Sequence, residues 1–81
     1  MNYSELHYIL CIAKHQNLTR AAQELYISQP TLTKHLQKLE REMGAKLFSR
    51  NGNTYVPTYT GRKYMEYARK ILQVKQDWEK E

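Results

Sequence analysis

Between Ser28 and Gly44 the chain carries a helix start, one apolar stripe and a helix stop in unbroken succession. Leu32, Leu36, Leu39 and Met43 fall at i, i+4, i+7 and i+11. At about 100° per residue that spacing puts them on one side of a helix. Pro30, Lys34, Gln37, Lys38 and Arg41 point roughly the other way, with Thr31 and Thr33 on the flanks. Ser28 is a good N-cap, because its hydroxyl accepts from a first-turn N–H that has no intrahelical partner. Pro30 is tolerated there for the same reason. Gly44 accepts the left-handed conformation that ends a helix. A chain containing this rod has to bury its leucine edge, and the basic edge is left free.

The flanking sequence provides something to bury it against. Ser4 to about His15 reads as a first amphipathic helix with Leu6, Ile9, Leu10 and Ala13 on its inner stripe. Asn17 is a stop and a new N-cap. Thr19 to Leu25 is a short second helix with Ala22 and Leu25 facing inward; the small Ala21 and Ala22 let a neighbour approach closely. Tyr26 and Ile27 make a tight connection into Ser28, with Ile27 as an apolar plug. Two short helices joined this way describe a helix-turn-helix over about residues 18–37. Its turn lacks the Gly that many such motifs carry.

After Gly44, Lys46–Leu47–Phe48–Ser49–Arg50 alternates as a strand does, Asn51–Gly52–Asn53 signals a hairpin turn, and Thr54–Tyr55–Val56 returns until Pro57. This is a wing at about residues 46–57, anchored by Leu47 and Phe48. Thr58 then caps a long helix, with Gly61 in its first turn where another helix is expected to pack closely. Thr60, Tyr64, Tyr67, Ile71, Val74 and Trp78 recur at spacings of 4, 3, 4, 3 and 4, a heptad-like seam. Met65, Ala68 and Leu72 form a second stripe for the chain's own core. A helix with two apolar faces packs on two things, so Tyr64, Tyr67, Ile71, Val74 and Trp78 are expected to meet a second copy. The chain stops at Glu81 with no Gly, Pro or other terminator, as expected of a fragment cut inside or just after a linker helix. The expected fold is mostly α with a small β-hairpin: a winged helix-turn-helix over residues 1–57, followed by a linker and dimerisation helix over residues 58–81.

Eighty-one residues make one small domain with a thin stability margin, which help from a partner chain would widen. The net charge is +5 and unevenly spread. Residues 1–28 balance, residues 29–50 carry +3 and residues 51–81 carry +2. The excess on the third helix and beyond suits a polyanion, although charge alone equally fits a solvated basic surface. One cysteine, Cys11, excludes an internal disulfide and fits a reducing cytosol. No apolar run approaches the ~20 residues a bilayer needs. No signal peptide is expected either, so the location expected is cytoplasmic.

Motif and charge together point to double-stranded DNA, with the third helix in a groove. Gln29, Thr31, Thr33 and Lys34 lie in its N-terminal half, the part that normally enters. Lysine can donate to guanine, glutamine can pair with adenine, and Pro30 or a threonine methyl can meet a thymine methyl. Ser28, Gln37 and Lys38 complete this face. Thr19 and Arg20, at the start of the second helix, are placed for phosphate. On the wing, Arg50 and Asn53 are placed for a phosphate or the minor groove.

These residues in this register resemble the N-terminal DNA-binding domain of LysR-type transcriptional regulators. The resemblance rests on Leu6 and Ala13, Ala21–Ala22 and Leu25, Ile27–Ser28–Gln29–Pro30, Thr33, Leu36, Leu39–Glu40, Gly44, Leu47–Phe48, Arg50, Thr58 and Gly61. It implies a bacterial winged helix-turn-helix whose long final helix pairs with its twin, tetramers being open to the full-length protein. Two reading helices would enter successive major grooves of an interrupted palindromic operator, with the wings along the flanking minor grooves. A larger ligand-sensing domain would normally follow. The chain departs from the pattern at Asn17 (commonly Ser), Asn53 (often basic), Pro57 (usually Leu) and Thr60 (usually Ala).

Rival readings are weaker. His7, Cys11 and His15 repeat at i, i+4, i+8, a metal-capable geometry, but no fourth ligand or supporting carboxylate is evident in the sequence, so no metal or cofactor is expected. That face is expected to pack on a partner's linker helix. No phosphate loop, nucleophile–base pair or carboxylate dyad appears, so no enzyme activity is expected. A winged-helix module for protein–protein contact would carry exposed aromatics or Leu on the outer face of the third helix, and this chain has polar and basic residues there.

Overall fold

The structure, a computed structural model, describes residues 2–81. The chain runs α1 (Tyr3–His15), α2 (Leu18–Leu25), α3 (Gln29–Met43), β1 (Phe48–Asn51), β2 (Thr54–Pro57) and α4 (Tyr59–Lys80). Each helix begins on a side-chain cap. Asn2 accepts from the Glu5 N–H, Asn17 from Arg20, Ser28 from Thr31 and Thr58 from Gly61. α1, α2 and α3 end on left-handed residues, Gln16, Tyr26 and Gly44. Tyr26 therefore takes the place of the missing turn glycine, at φ +57° with its ring in solvent. α4, at 22 residues, is about 33 Å long.

The core lies among α1, α2, α3 and the base of α4. α1 is central, packing on α2, α3, α4 and β2. Its buried face is accordingly wider than one stripe: Leu6, Ile9, Cys11 and Ile12 are buried, while Leu10 and Ala13 are half-buried at its edge. From α2, Leu18, Ala21 and Ala22 are buried and Leu25 is half-buried. Met65 and Ala68 are buried from α4, with Leu72 half-buried beside them. Ile27 packs against this core, as its place between α2 and α3 requires.

On α3 the buried line is Leu32, Leu36 and Glu40, not the full leucine stripe; Leu39 is half-buried and Met43 is exposed. Burying Leu32 and Leu36 stabilises the domain by roughly 1.5–3 kcal/mol each. Glu40 is tolerated because its carboxylate accepts from the Leu47 N–H at 2.7 Å and the Phe48 N–H at 3.4 Å. It thereby ties the reading helix to the first strand of the wing. Lys46 is its ion-pair partner at 3.7 Å; Arg41 pairs with neither Glu40 nor Glu42.

β1 and β2 pair antiparallel, from Phe48 opposite Pro57 to Asn51 opposite Thr54. Pro57 is thus the last strand residue. The turn residues are Gly52 and Asn53, with Gly52 at φ +65° in the first of the two positions. Leu47 and Phe48 are buried and anchor the wing. The Tyr55 N–H donates to the Gln16 carbonyl at 3.0 Å, fixing its other strand to the end of α1. At the wing–α4 junction the Thr58 N–H donates to Leu47 at 2.9 Å and its hydroxyl to Lys46 at 2.6 Å. Gly61 is required by this junction: a Cβ there would lie 2.9 Å from the Leu47 carbonyl carbon and closer still to its oxygen. The close neighbour is the entry to the wing, where the sequence pattern suggested another helix.

Candidate nucleic-acid interface

The outer edge of α3 is exposed from its cap onward. Ser28, Gln29, Pro30, Thr31, Lys34, Gln37 and Lys38 all lie in solvent, and Thr33 is half-exposed. Leu32 and Leu36 hold the opposite edge in the core, so these side chains sit on a fixed support. Local hydrogen bonds order the first turns. The Ser28 hydroxyl donates to Thr31 Oγ1 at 2.7 Å, and Gln29 Nε2 donates to Thr33 Oγ1 at 2.8 Å. Thr33 in turn donates to the Gln29 carbonyl at 3.0 Å. The Gln29 carboxamide nitrogen is thus engaged within the helix's first turns.

A groove of about 490 Å³ separates α3 from the wing. Thr33 and Gln37 line it from the helix, and Ser49, Arg50 and Tyr55 from the wing. Arg50 stands over the Tyr55 ring opposite it, 5.0 Å from the centroid, which fixes the guanidinium on the wing surface. Asn53 is exposed at the wing tip. Thr19 and Arg20 are exposed in the first turn of α2. All twelve residues expected to meet DNA are therefore at least partly in solvent, on three adjoining elements.

Lys46, expected as the first residue of the wing strand, precedes β1 and is exposed at the same groove, 3.7 Å from Glu40. Its positive charge two residues past Gly44 is the sequence signal for it.

The second apolar surface runs along α4. Tyr67, Val74 and Trp78 are exposed, Trp78 at 76%. Ile71 is half-buried between two shallow apolar depressions. One is lined by Leu6, Met43, Tyr64 and Tyr67, the other by Tyr3, Val74 and Trp78. Tyr64 serves both sides: its ring packs against the chain's own core, and its hydroxyl is buried without a hydrogen-bond partner among the described residues. Burial, with the Glu5 charge adding, pushes that phenol above its usual range.

The face expected to meet a partner's linker helix differs from that expectation. Cys11 is buried, and α2 covers it. Glu24 of α2 reaches back to accept from Cys11 Sγ at 3.1 Å and Lys14 Nζ at 2.8 Å, with His15 Nε2 at 3.0 Å. This is the carboxylate that the α1 spacing did not reveal. Bonds from Lys14, Cys11 and His15 hold its carboxyl down at about 2. Burial and Glu24 push the Cys11 thiol up to about 11. His7 stays exposed, apart from the group.

Similarity to known proteins agrees with this geometry. The model of the bacterial regulatory helix-turn-helix proteins of the lysR family matches residues 3–62. Over 72 residues, 89% of this chain, it is 40% identical to the HTH-type transcriptional regulator CitR of Bacillus subtilis. Over 69 residues, 85% of the chain, it is 41% identical to the RuBisCO operon transcriptional regulator of Allochromatium vinosum. It spans about a quarter of the length of these relatives. A crystal structure of a CbnR_DBD–DNA complex superposes with a TM-score of 0.91 at 31% identity, covering 99% of this chain and 92% of that one. A BenM_DBD/benA site 1 DNA complex gives 0.90 at 32% identity, covering 96% and 88%. No helix among the described residues is long and apolar enough to cross a membrane.

Proposed function

The chain belongs to the lysR family of bacterial regulatory helix-turn-helix proteins and is a DNA-binding domain of a transcription regulator, and from that premise we propose how it reads an operator. α3 lies in the major groove, which at about 12 Å wide admits a helix. Lys34 donates to guanine, Gln29 and Gln37 meet adenine edges, and Pro30, Thr31 and Thr33 offer apolar contact to thymine methyls. Ser28, Thr19, Arg20 and Lys38 hold flanking phosphates, those on α2 helped by the positive end of that helix. Arg50 and Asn53 carry the wing to the adjacent minor groove or backbone, and Lys46 adds charge between helix and wing. Residues 1–57 are the reading unit; residues 58–81 set its spacing. No cofactor takes part in the reading.

The reading unit works as a homodimer. Tyr64, Tyr67, Ile71, Val74 and Trp78 of two copies bury one another, and the two α3 helices face successive major grooves about 34 Å apart on an interrupted palindrome. A contiguous apolar face on a long helix supports this, because water is a poor solvent for it. The observation that carries the whole reading is the outer edge of α3, polar and basic from Ser28 to Lys38 and free of the monomer's own packing.

The test is DNA binding as salt is raised. Lys38→Ala should reduce the slope of log K against log salt by about 2 for the dimer, since it removes about one released counterion per subunit. Lys34→Ala, at a base edge, should weaken binding to the operator more than binding to unrelated DNA. An unchanged slope in Lys38→Ala together with full operator affinity in Lys34→Ala would refute the placement of α3.

A further inference from the structure

We infer that Cys11, His15 and Glu24 form a binding site for a zinc-type divalent cation that clamps α1 to α2. Three chemically different donors converge from two helices: a thiol sulfur, an imidazole nitrogen and a carboxylate. Cys11 and His15 are one helical turn apart on α1, so they stack on the same side. Glu24 comes from the last turn of α2. The donor atoms all lie within 4.8 Å of one another, with Sγ to Oε2 at 3.1 Å and Nε2 to Oε1 at 3.0 Å. Zinc bonds of about 2.3 Å to sulfur and about 2.0–2.1 Å to nitrogen and oxygen set tetrahedral donors roughly 3.3–3.6 Å apart. The cluster reaches that spacing by small side-chain movements, with the backbone in place.

The site is also accessible. Glu24 and His15 reach solvent at the edge of the α1–α2 contact, so an ion enters from outside and water completes the fourth position. Lys14 now occupies Glu24, but its side chain is exposed and swings back to water at small cost. Sulfur with imidazole and one carboxylate suits zinc or cobalt over magnesium or calcium, which prefer oxygen. Binding replaces the Cys11 S–H with a metal–sulfur bond and releases one proton to solvent per ion. Affinity therefore rises with pH. Burial and the Glu24 carboxylate hold the thiol protonated in the metal-free protein, which makes the proton release a clear signature. None of the three residues is placed against DNA, so the site acts on stability and not on base recognition.

The experiment titrates the metal-free chain with Co²⁺ and then Zn²⁺. One equivalent of Co²⁺ should give a thiolate-to-cobalt charge-transfer band and the strong visible bands of a tetrahedral ion, both lost when Zn²⁺ is added. At a hundredfold excess over Kd, Zn²⁺ should raise Tm by about 10 °C or more. Cys11→Ser should abolish the charge-transfer band. Because it alters a buried position, Glu24→Ala and His15→Asn at the partly exposed positions serve as the second test. Each should weaken Zn²⁺ binding at least tenfold with far-UV circular dichroism and DNA affinity retained, whereas His7→Ala should change nothing. No charge-transfer band with the wild-type chain, or wild-type Zn²⁺ affinity in both Glu24→Ala and His15→Asn, would overturn the site.

Discussion

Among the described residues Glu40 is the one charged side chain held in the core, at 9% exposure, and replacing it should loosen the wing from the reading helix. In Glu40→Ala the Leu47 N–H loses a 2.7 Å bond to a charged acceptor, and Leu47 itself is fully buried. Bonds to charged groups contribute about 1.5–3 kcal/mol, and a buried donor left unpaired forfeits that amount. The 3.4 Å contact from the Phe48 N–H adds a smaller share. The Lys46 pair adds little, because Lys46 is exposed and 3.7 Å away. The expected loss is about 2–4 kcal/mol, against the roughly 4–12 kcal/mol that a domain of this length has in total. Glu40→Gln keeps an acceptor oxygen and should lose only about 1 kcal/mol. Urea unfolding followed by far-UV circular dichroism measures both. In the variants, hydrogen exchange at the Leu47 and Phe48 amides should rise ahead of exchange at Ile12. A loss under about 0.5 kcal/mol in Glu40→Ala, or equal losses in the two variants, would refute the tie between helix and wing.

Other outcomes follow from the same coordinates. Tyr26 sits at φ +57° and 95% exposed, so Tyr26→Gly should remove left-handed strain without losing packing and raise stability by about 0.5–1 kcal/mol in urea. Glu24 is held at about 2 in the folded chain, below its ordinary value, so its contribution is present above pH 4.5 and is lost as pH falls towards 2; Glu24→Gln should flatten that acid limb of Tm against pH. The Cys11 thiol is raised to about 11, so its contribution is present below pH 9 and is lost as pH rises through 11; Cys11→Ala should flatten the alkaline limb of the metal-free chain. Trp78→Glu should reduce dimer content and operator affinity together, and an unchanged sedimentation profile would argue against the α4 seam.

Features set by spacing along one element were legible in the sequence. The caps at Asn17, Ser28 and Thr58, the stop at Gly44, the hairpin around Gly52 and the Met65–Ala68–Leu72 stripe all occur where local chemistry puts them. What escaped was contact between elements. Glu40 follows Leu32 and Leu36 at i+8 and i+4, so its position was on the buried line; its charge hid this until two backbone N–H groups came to meet it. Glu24 could not be joined to Cys11 and His15 from a repeat on α1 alone, because only the folding of α2 onto α1 brings it there. Gly61 showed that something approached closely but not what, and the neighbour is the Leu47 backbone. The exposed edge of α3 and the wing beside it were legible because each depends on spacing within a single element.

The most direct measurement is the affinity of the wild-type chain, Thr33→Ala and Lys34→Ala for a site selected from a random pool, each set against an unrelated duplex at the same salt. With α3 against the bases, both substitutions lower affinity for the selected site by about 5- to 150-fold, the equivalent of roughly 1–3 kcal/mol, and Thr33→Ala leaves binding to the unrelated duplex unchanged. Full wild-type affinity of both variants for the selected site would contradict the account.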